Sequence, residues 1–194
     1  MVVNVDEFVF AELPDPPVRV LEVGCGGGEL ARALAAAGYD VLAVDPDAPD
    51  GPLFRRTKIE ELEDPGPFAA AVASRSLHHV HDLAVALDKI VGLLGPGGCV
   101  VLDDFGWERL DARSAVRVGI ELAEWREEHA GLHTSEAIVR ELDRRLSRRR
   151  LVWGPDLYRE ERAAVTWELE RNLIETGELE AIGFRYVGAR YDPR

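Results

Sequence analysis

Short apolar runs recur along the first half of the chain, and stretches with apolar positions three or four apart lie between them. This pattern predicts strands over residues 18–23, 39–44, about 54–58, 68–73 and 99–102. Residues 29–38 are rich in helix formers and stop at Gly38, a residue type that closes helices. Leu83, Leu87, Ile90 and Leu94 repeat at helical spacing behind Asp82, an N-cap residue type, and Gly95-Pro96-Gly97-Gly98 ends that helix. Ahead of the first strand, Phe8, Val9, Phe10 and Leu13 form an apolar patch expected to pack over the domain. Pro14, Pro16 and Pro17 give an extended lead-in.

Past residue 104 the rhythm changes. Residues 111–129 read as a helix with Val116, Ile120 and Ala123 on one side, and a second helix runs through Ile138, Leu142 and Leu146 from an N-cap at Thr134 or Ser135. Residues 149–153 read as a sixth strand. Residues 161–176 read as a helix aligning Val165, Leu169 and Leu173, and 184–189 as a closing strand. The alternation from 18 to 104 implies an α/β fold with a right-handed, doubly wound sheet. The chain reads as one domain over 1–194, with its core in 18–104 and 161–194. Residues 105–160 are expected to be a helical insertion over the substrate side, because they break the βα rhythm at the sheet's ligand edge.

Bulk composition narrows the setting. The 194 residues are 46% hydrophobic and 30% charged, values of a soluble globular protein. No apolar run approaches the roughly 18 residues of a membrane helix, so no membrane partner is expected. The N-terminus lacks the basic start and apolar stretch of a signal peptide. Only Cys25 and Cys99 are present, which implies no disulfide framework and makes a cytoplasmic location the expectation. The net charge of −13 argues against nucleic acid as the main substrate. The basic run Arg144, Arg145, Arg148, Arg149 and Arg150 reads as the solvated face and end of a helix. No apolar stripe is left over from which to assign an oligomeric state.

Candidate chemistry centres on Val20-Leu21-Glu22-Val23-Gly24-Cys25-Gly26-Gly27-Gly28-Glu29-Leu30, a strand, a glycine turn and the start of a helix. A dinucleotide fingerprint, G-x-G-x-x-G, would need a glycine at position 29, which is Glu29. The pattern present is E-x-G-x-G-x-G, through Glu22, Gly24, Gly26 and Gly28. An acid before the turn and another after it would repel a pyrophosphate and suit a ligand carrying positive charge. S-adenosyl-L-methionine, with its ammonium and sulfonium, meets that description and NAD does not. The segment resembles motif I of class I S-adenosylmethionine-dependent methyltransferases, in particular their small type 11 and type 12 domains. Set beside that is a tight βα turn with no ligand. Cys25 reads as a small turn residue rather than a nucleophile.

The resemblance covers residues 18–104 well and the remainder only as architecture. It implies a Rossmann-like seven-stranded sheet, mostly parallel with the last strand antiparallel, and helices on both faces. Asp45, with Pro46 beside it, ends the second strand at the ligand edge, where a carboxylate can accept two hydrogen bonds from ribose hydroxyls; the resemblance carries that role to Asp45. It places Ile59 and Glu60 against the adenine, with Glu61 also open. Ser74 and Arg75, leaving the fourth strand, would face the methyl donor. The run from Leu93 to Leu102 is similar to the family's turn and fifth strand. One departure is Ala69, where the family often carries an acid.

In-line methyl transfer needs alignment and exclusion of water more than a covalent catalyst. His78 and His79 are the candidates for a general base; alternatively one is hydrogen-bonded to backbone and the other exposed. A metal on His78, His79 and His81 is disfavoured because no matching Cys or acid cluster stands nearby. His129 and His133, with Trp107, Trp125, Trp153 and Tyr158, either line an acceptor pocket or form the insertion's own core. Asp103 and Asp104 either meet a cationic acceptor or are solvated loop acids. The expected activity is methyl transfer from S-adenosyl-L-methionine to a small-molecule acceptor. The alternative is a binding protein of the same fold that holds the donor or S-adenosylhomocysteine without turnover, which Ala69 leaves open.

Overall fold

The computed structural model describes residues 5–64 and 66–191. Seven strands form one sheet: β1 (Arg19–Val23), β2 (Asp40–Asp45), β3 (Phe54–Arg56), β4 (Phe68–Ser74), β5 (Leu94–Phe105), β6 (Leu146–Gly154) and β7 (Gly183–Arg190). Their order is β3-β2-β1-β4-β5-β7-β6. β1 to β5 pair in parallel, and β7 lies antiparallel between β5 and β6. This is the doubly wound sheet with an antiparallel last strand implied by the sequence. The order reverses between β1 and β4, so their C-terminal ends diverge and leave the crevice where such sheets bind ligands.

Alternate residues of the strands feed two cores. On one face Leu21, Val23, Ala71, Ala73 and Leu102 pack under α3 (Leu83–Leu93) and α6 (Ser135–Arg145). On the other, Val20, Val41, Ala70 and Val72 pack under α1 (Val5–Glu12) and α2 (Glu29–Ala36). Phe8, Val9 and Leu13 are buried in this second layer, so the N-terminal patch does cover the domain. Asp82 caps α3 by accepting from the N–H groups of Ala84 and Val85, and Thr134 caps α6 by accepting from Ala137. Among the described residues, no helix is long and apolar enough to cross a membrane.

A third core, beyond the end of β5, is built by α4 (Ala112–Val118), α5 (Leu122–His129) and α7 (Trp167–Glu175) around Phe105, Leu110, Ile120, Trp125 and Leu173. Packing therefore divides the chain differently from the 105–160 expectation. α6 and β6 fall inside that range but belong to the sheet, whereas α7 falls outside it and joins the third core. The expected helix over 111–129 is two helices, because Gly119 turns into the left-handed region at φ 76°. That break rotates the buried side: Val116 is 83% exposed, while Ala115, Val118 and Ile120 face inward. α7 likewise leaves Leu169 41% exposed and buries Glu170 and Leu173. The basic run spans the end of α6 and the edge strand β6, where Arg145 pairs with Asp88 and Glu141, Arg148 with Asp143, and Arg150 with Glu12.

Two substitutions separate these packing roles. Trp125→Ala empties the centre of the third core and should cost about 3–5 kcal/mol, whereas Val116→Ser should stay within about 0.5 kcal/mol of the parent. Urea denaturation midpoints of the two variants check this.

Candidate functional site

A cleft of about 690 Å³ opens at the C-terminal edge of the sheet, over the divergence of β1 and β4. Its floor is the glycine turn. Gly24 donates to the carbonyl of Val44 at 2.8 Å, and its φ of 75° lies in the left-handed region. A Cβ there would stand 2.2 Å from the Cβ of Ser76, and Ser76 in turn donates its hydroxyl to the carbonyl of Val23 at 2.7 Å. Gly26 also has a positive φ, but a Cβ on it would meet nothing within 4 Å, so this backbone borders open space. Gly28 differs. It does not line the cleft; it precedes α2 with φ 81°, and a Cβ would lie 2.5 Å from the Phe54 ring. The structure gives this expected cofactor residue a packing requirement.

Glu22, Gly24, Cys25, Gly26, Asp45, Pro46, Ile59, Glu60, Ser74 and Arg75 all line the cleft. Glu22 is buried at the end of β1. The two oxygens of Asp45 accept from the N–H groups of Gly26, at 3.0 Å, and Asp47, at 2.8 Å. Ile59 is buried and Glu60 reaches the cleft, whereas its neighbour Glu61 does not. The Cys25 thiol is pushed up to about 12, first by burial and then by the charges of Glu22 and Asp45. Such a thiol is no nucleophile at neutral pH. Glu29, in the first turn of α2, sets its carboxylate over Gly27, where a helix N-terminus would otherwise receive a phosphate.

The two histidine candidates part company. His78 is buried outside the cleft, with Nδ1 donating to Asp104 at 2.6 Å, and the Asp104 carboxylate is itself buried. His78 is thus not a base available to an acceptor. His79 lies exposed in the cleft, its ring centroid 4.1 Å from that of His78. Its pKa is lowered by desolvation and then by His78. Among the described residues, no three His, Cys, Asp or Glu side chains converge as a metal site.

Asp103 and Asp104 are buried and paired rather than solvated. Asp103 accepts from Arg159 at 3.0 Å and Arg185 at 2.9 Å. Arg75, whose own φ is 48°, reaches Glu160 at 2.7 Å and Asp156 at 3.4 Å. These ion pairs tie residues 156–160 to the sheet edge. From behind, the carboxylate of Glu170, fully buried, accepts the backbone N–H groups of Asp156, Leu157 and Tyr158 at 2.8–2.9 Å. The segment so held brings Tyr158 and Arg159 into the cleft wall. Trp125 and Trp107 instead stack with His129 inside or beside the third core, Trp153 packs on Phe184, and His133 bonds the carbonyl of Val80. Of the aromatic set, only Tyr158 reaches the cleft.

A family of methyltransferase domains matches this chain over residues 4–148, about three quarters of its length. The chain belongs to this family. Among curated proteins, the methyltransferase domain is similar to a ubiquinone biosynthesis O-methyltransferase of Xylella fastidiosa, with 37% identity over 108 residues, 47% of this chain and 44% of that protein. It spans about half the length of the curated relatives it matches. Among solved structures, the N-methyltransferase NodS from Bradyrhizobium japonicum WM9, in complex with S-adenosylhomocysteine, has a TM-score of 0.60 at 17% identity, covering 97% of this chain and 89% of that one. A geranyl diphosphate C-methyltransferase from Streptomyces coelicolor has a TM-score of 0.66 at 17% identity, covering 96% and 75%. These likenesses are of fold. The three proteins are named for O-, N- and C-methylation, so membership does not fix the atom that receives the methyl group.

Tyr158, one of the aromatics offered for an acceptor pocket, lines the cleft together with His81, weighed only as a metal ligand, and with Arg159, Thr57 and Lys58, which the sequence did not assign to a binding site. They sit on irregular segments without periodicity. The one available signal is Glu170, an acid three residues before the buried Leu173 on the same helix. Glu170→Ala, by leaving three backbone donors without their acceptor, should cost about 2–4 kcal/mol and speed amide exchange at residues 156–158. Hydrogen-exchange mass spectrometry with a denaturation curve measures both.

Proposed function

We propose that this domain binds S-adenosyl-L-methionine in the cleft and transfers its methyl group to a small-molecule acceptor. The observation that carries this reading is the joint presence of Glu22 and Asp45 around a glycine turn bordering open space at Gly26. Two carboxylates there, and Glu29 at the helix N-terminus, favour a cationic adenosyl ligand over a pyrophosphate. The residues fit the donor. Asp45 retains lone pairs for ribose hydroxyls beside its two backbone bonds. Ile59 offers an apolar wall for the adenine with Glu60 at its edge, and the exit of β4 at Ser74 and Arg75 faces the same space. Bound there, the donor would supply a methyl group on a good leaving group. The chain's own contribution is to orient the acceptor and exclude water, with Tyr158 and Arg159 in the cleft wall.

Ala69 supports a second reading, a binding protein of this fold that holds donor or product without turnover. A chain that binds S-adenosyl-L-methionine yet transfers no methyl group to any acceptor class would be of that kind.

Isothermal titration calorimetry with S-adenosylhomocysteine tests the site. The parent should bind, Asp45→Ala should weaken binding about 10- to 100-fold through loss of charge-assisted hydrogen bonds, and Gly26→Val should abolish it by filling the cleft. No heat from folded parent protein with either donor or product would refute the proposal.

A further inference from the structure

One carboxylate at the edge of the cleft is buried without the hydrogen bonds that would hold its charge. Asp156 is 2% exposed and begins the segment that brings Tyr158 and Arg159 into the cleft wall. Its Cβ lies against the start of β7, 2.9 Å from where a side chain on Gly183 would stand. Two arginines approach its carboxylate, Arg159 at 3.1 Å and Arg75 at 3.4 Å. Both spend their hydrogen bonds on other groups: Arg159 donates to Asp103 and Tyr158, and Arg75 donates to Glu160. Asp156 Oδ2 is fully buried and accepts no hydrogen bond among the described residues. Asp104 Oδ2 is in the same condition.

The charged and titratable groups around Asp156 come from every element packed on it. Arg75 and His78 follow β4, Asp103 and Asp104 lie near the end of β5, Glu170 stands on α7 and Arg185 on β7. Arg159 and Glu160 belong to the segment itself. This neighbourhood holds more carboxylate oxygens than its donors serve. An ionised carboxylate taken out of water is costly unless hydrogen bonds replace the water. Burial therefore dominates, aided by Asp103 and Asp104 and opposed by Arg75 and Arg159, and Asp156 is pushed up to about 7. Burial raises Glu170 too, against the three backbone N–H groups that it accepts.

We propose that residues 156–160 are a gate on the cleft, closed with a proton on Asp156 and opened with release of that proton to solvent. Opening breaks the three backbone bonds to Glu170 and the ion pairs of Arg159 and Arg75. It also withdraws Tyr158 and Arg159 from the cleft wall. Leu157, buried in the third core, keeps the open form the minor one. Because the closed form binds the proton more tightly, its advantage is complete below the ordinary 3.8 of an aspartate and is lost as pH rises toward about 7. Above that, both forms are ionised and the balance is constant. The gate acts on the cleft wall whatever ligand fills it, and so stands apart from the donor reading.

Hydrogen exchange of the full chain from about pH 5 to about pH 8, corrected for the intrinsic pH dependence of amide exchange, measures opening at residues 156–158. The opening constant should rise about tenfold per pH unit and level off above about 7. Asp156→Asn, which keeps the shape and removes the charge, should lose the slope and stay protected at the alkaline end. Carbon-13 NMR of the parent's aspartate carboxyls should show one that titrates near 7. An unchanged slope in Asp156→Asn would overturn the proposal and place the proton on Glu170. A flat profile in the parent would also overturn it, as would exchange at 156–158 no faster than at Ala70–Val72 of β4, or no aspartate titrating above about pH 5. These last three readings need no variant, so they decide the matter even where Asp156→Asn fails to fold.

Discussion

The junction of β1 and β4 governs this molecule. Ser76, two residues past β4, donates its hydroxyl to Val23 at the end of β1, and its Cβ occupies the space a side chain on Gly24 would need. Glycine is thereby required at the first turn position for contact as well as for its positive φ. The same junction ties the glycine turn to the segment carrying His79 by one hydrogen bond and one close approach. Gly26 faces open space and Gly28 faces the Phe54 ring. Three glycines in one run thus answer three different demands.

Charge is the second organising feature. The turn carries the carboxylates Glu22, Glu29 and Asp45, and burial together with the charges of Glu22 and Asp45 holds the Cys25 thiol far from ionisation. Across the cleft, Asp103, Asp156 and Glu160 balance Arg75, Arg159 and Arg185 in a network that holds residues 156–160 in place. Ions this well paired give position rather than attraction.

The sheet and the turn were legible in the sequence because their signals are periodic or local. Buried parallel strands read as apolar runs, and Glu29 alone excluded the dinucleotide spacing. The third core was less legible. Val116 and Leu169 have helical spacing, yet both are exposed, because Gly119 breaks one helix and α7 turns Glu170 inward instead. His78 and His79 are adjacent in sequence and differ in surroundings: a single short turn sends one ring to Asp104 and leaves the other in the cleft. Tyr158 and Arg159 are placed by Glu170, twelve and eleven residues further on, and no local pattern announces that anchor.

The most direct measurement is a crystal structure of the chain grown with S-adenosylhomocysteine. Density for the ligand should span the cleft, with the ribose on Asp45, the adenine beside Ile59 and Glu60, and the sulfur facing the space bounded by His79 and Tyr158. A ligand bound elsewhere, or with its ribose away from Asp45, would contradict this account.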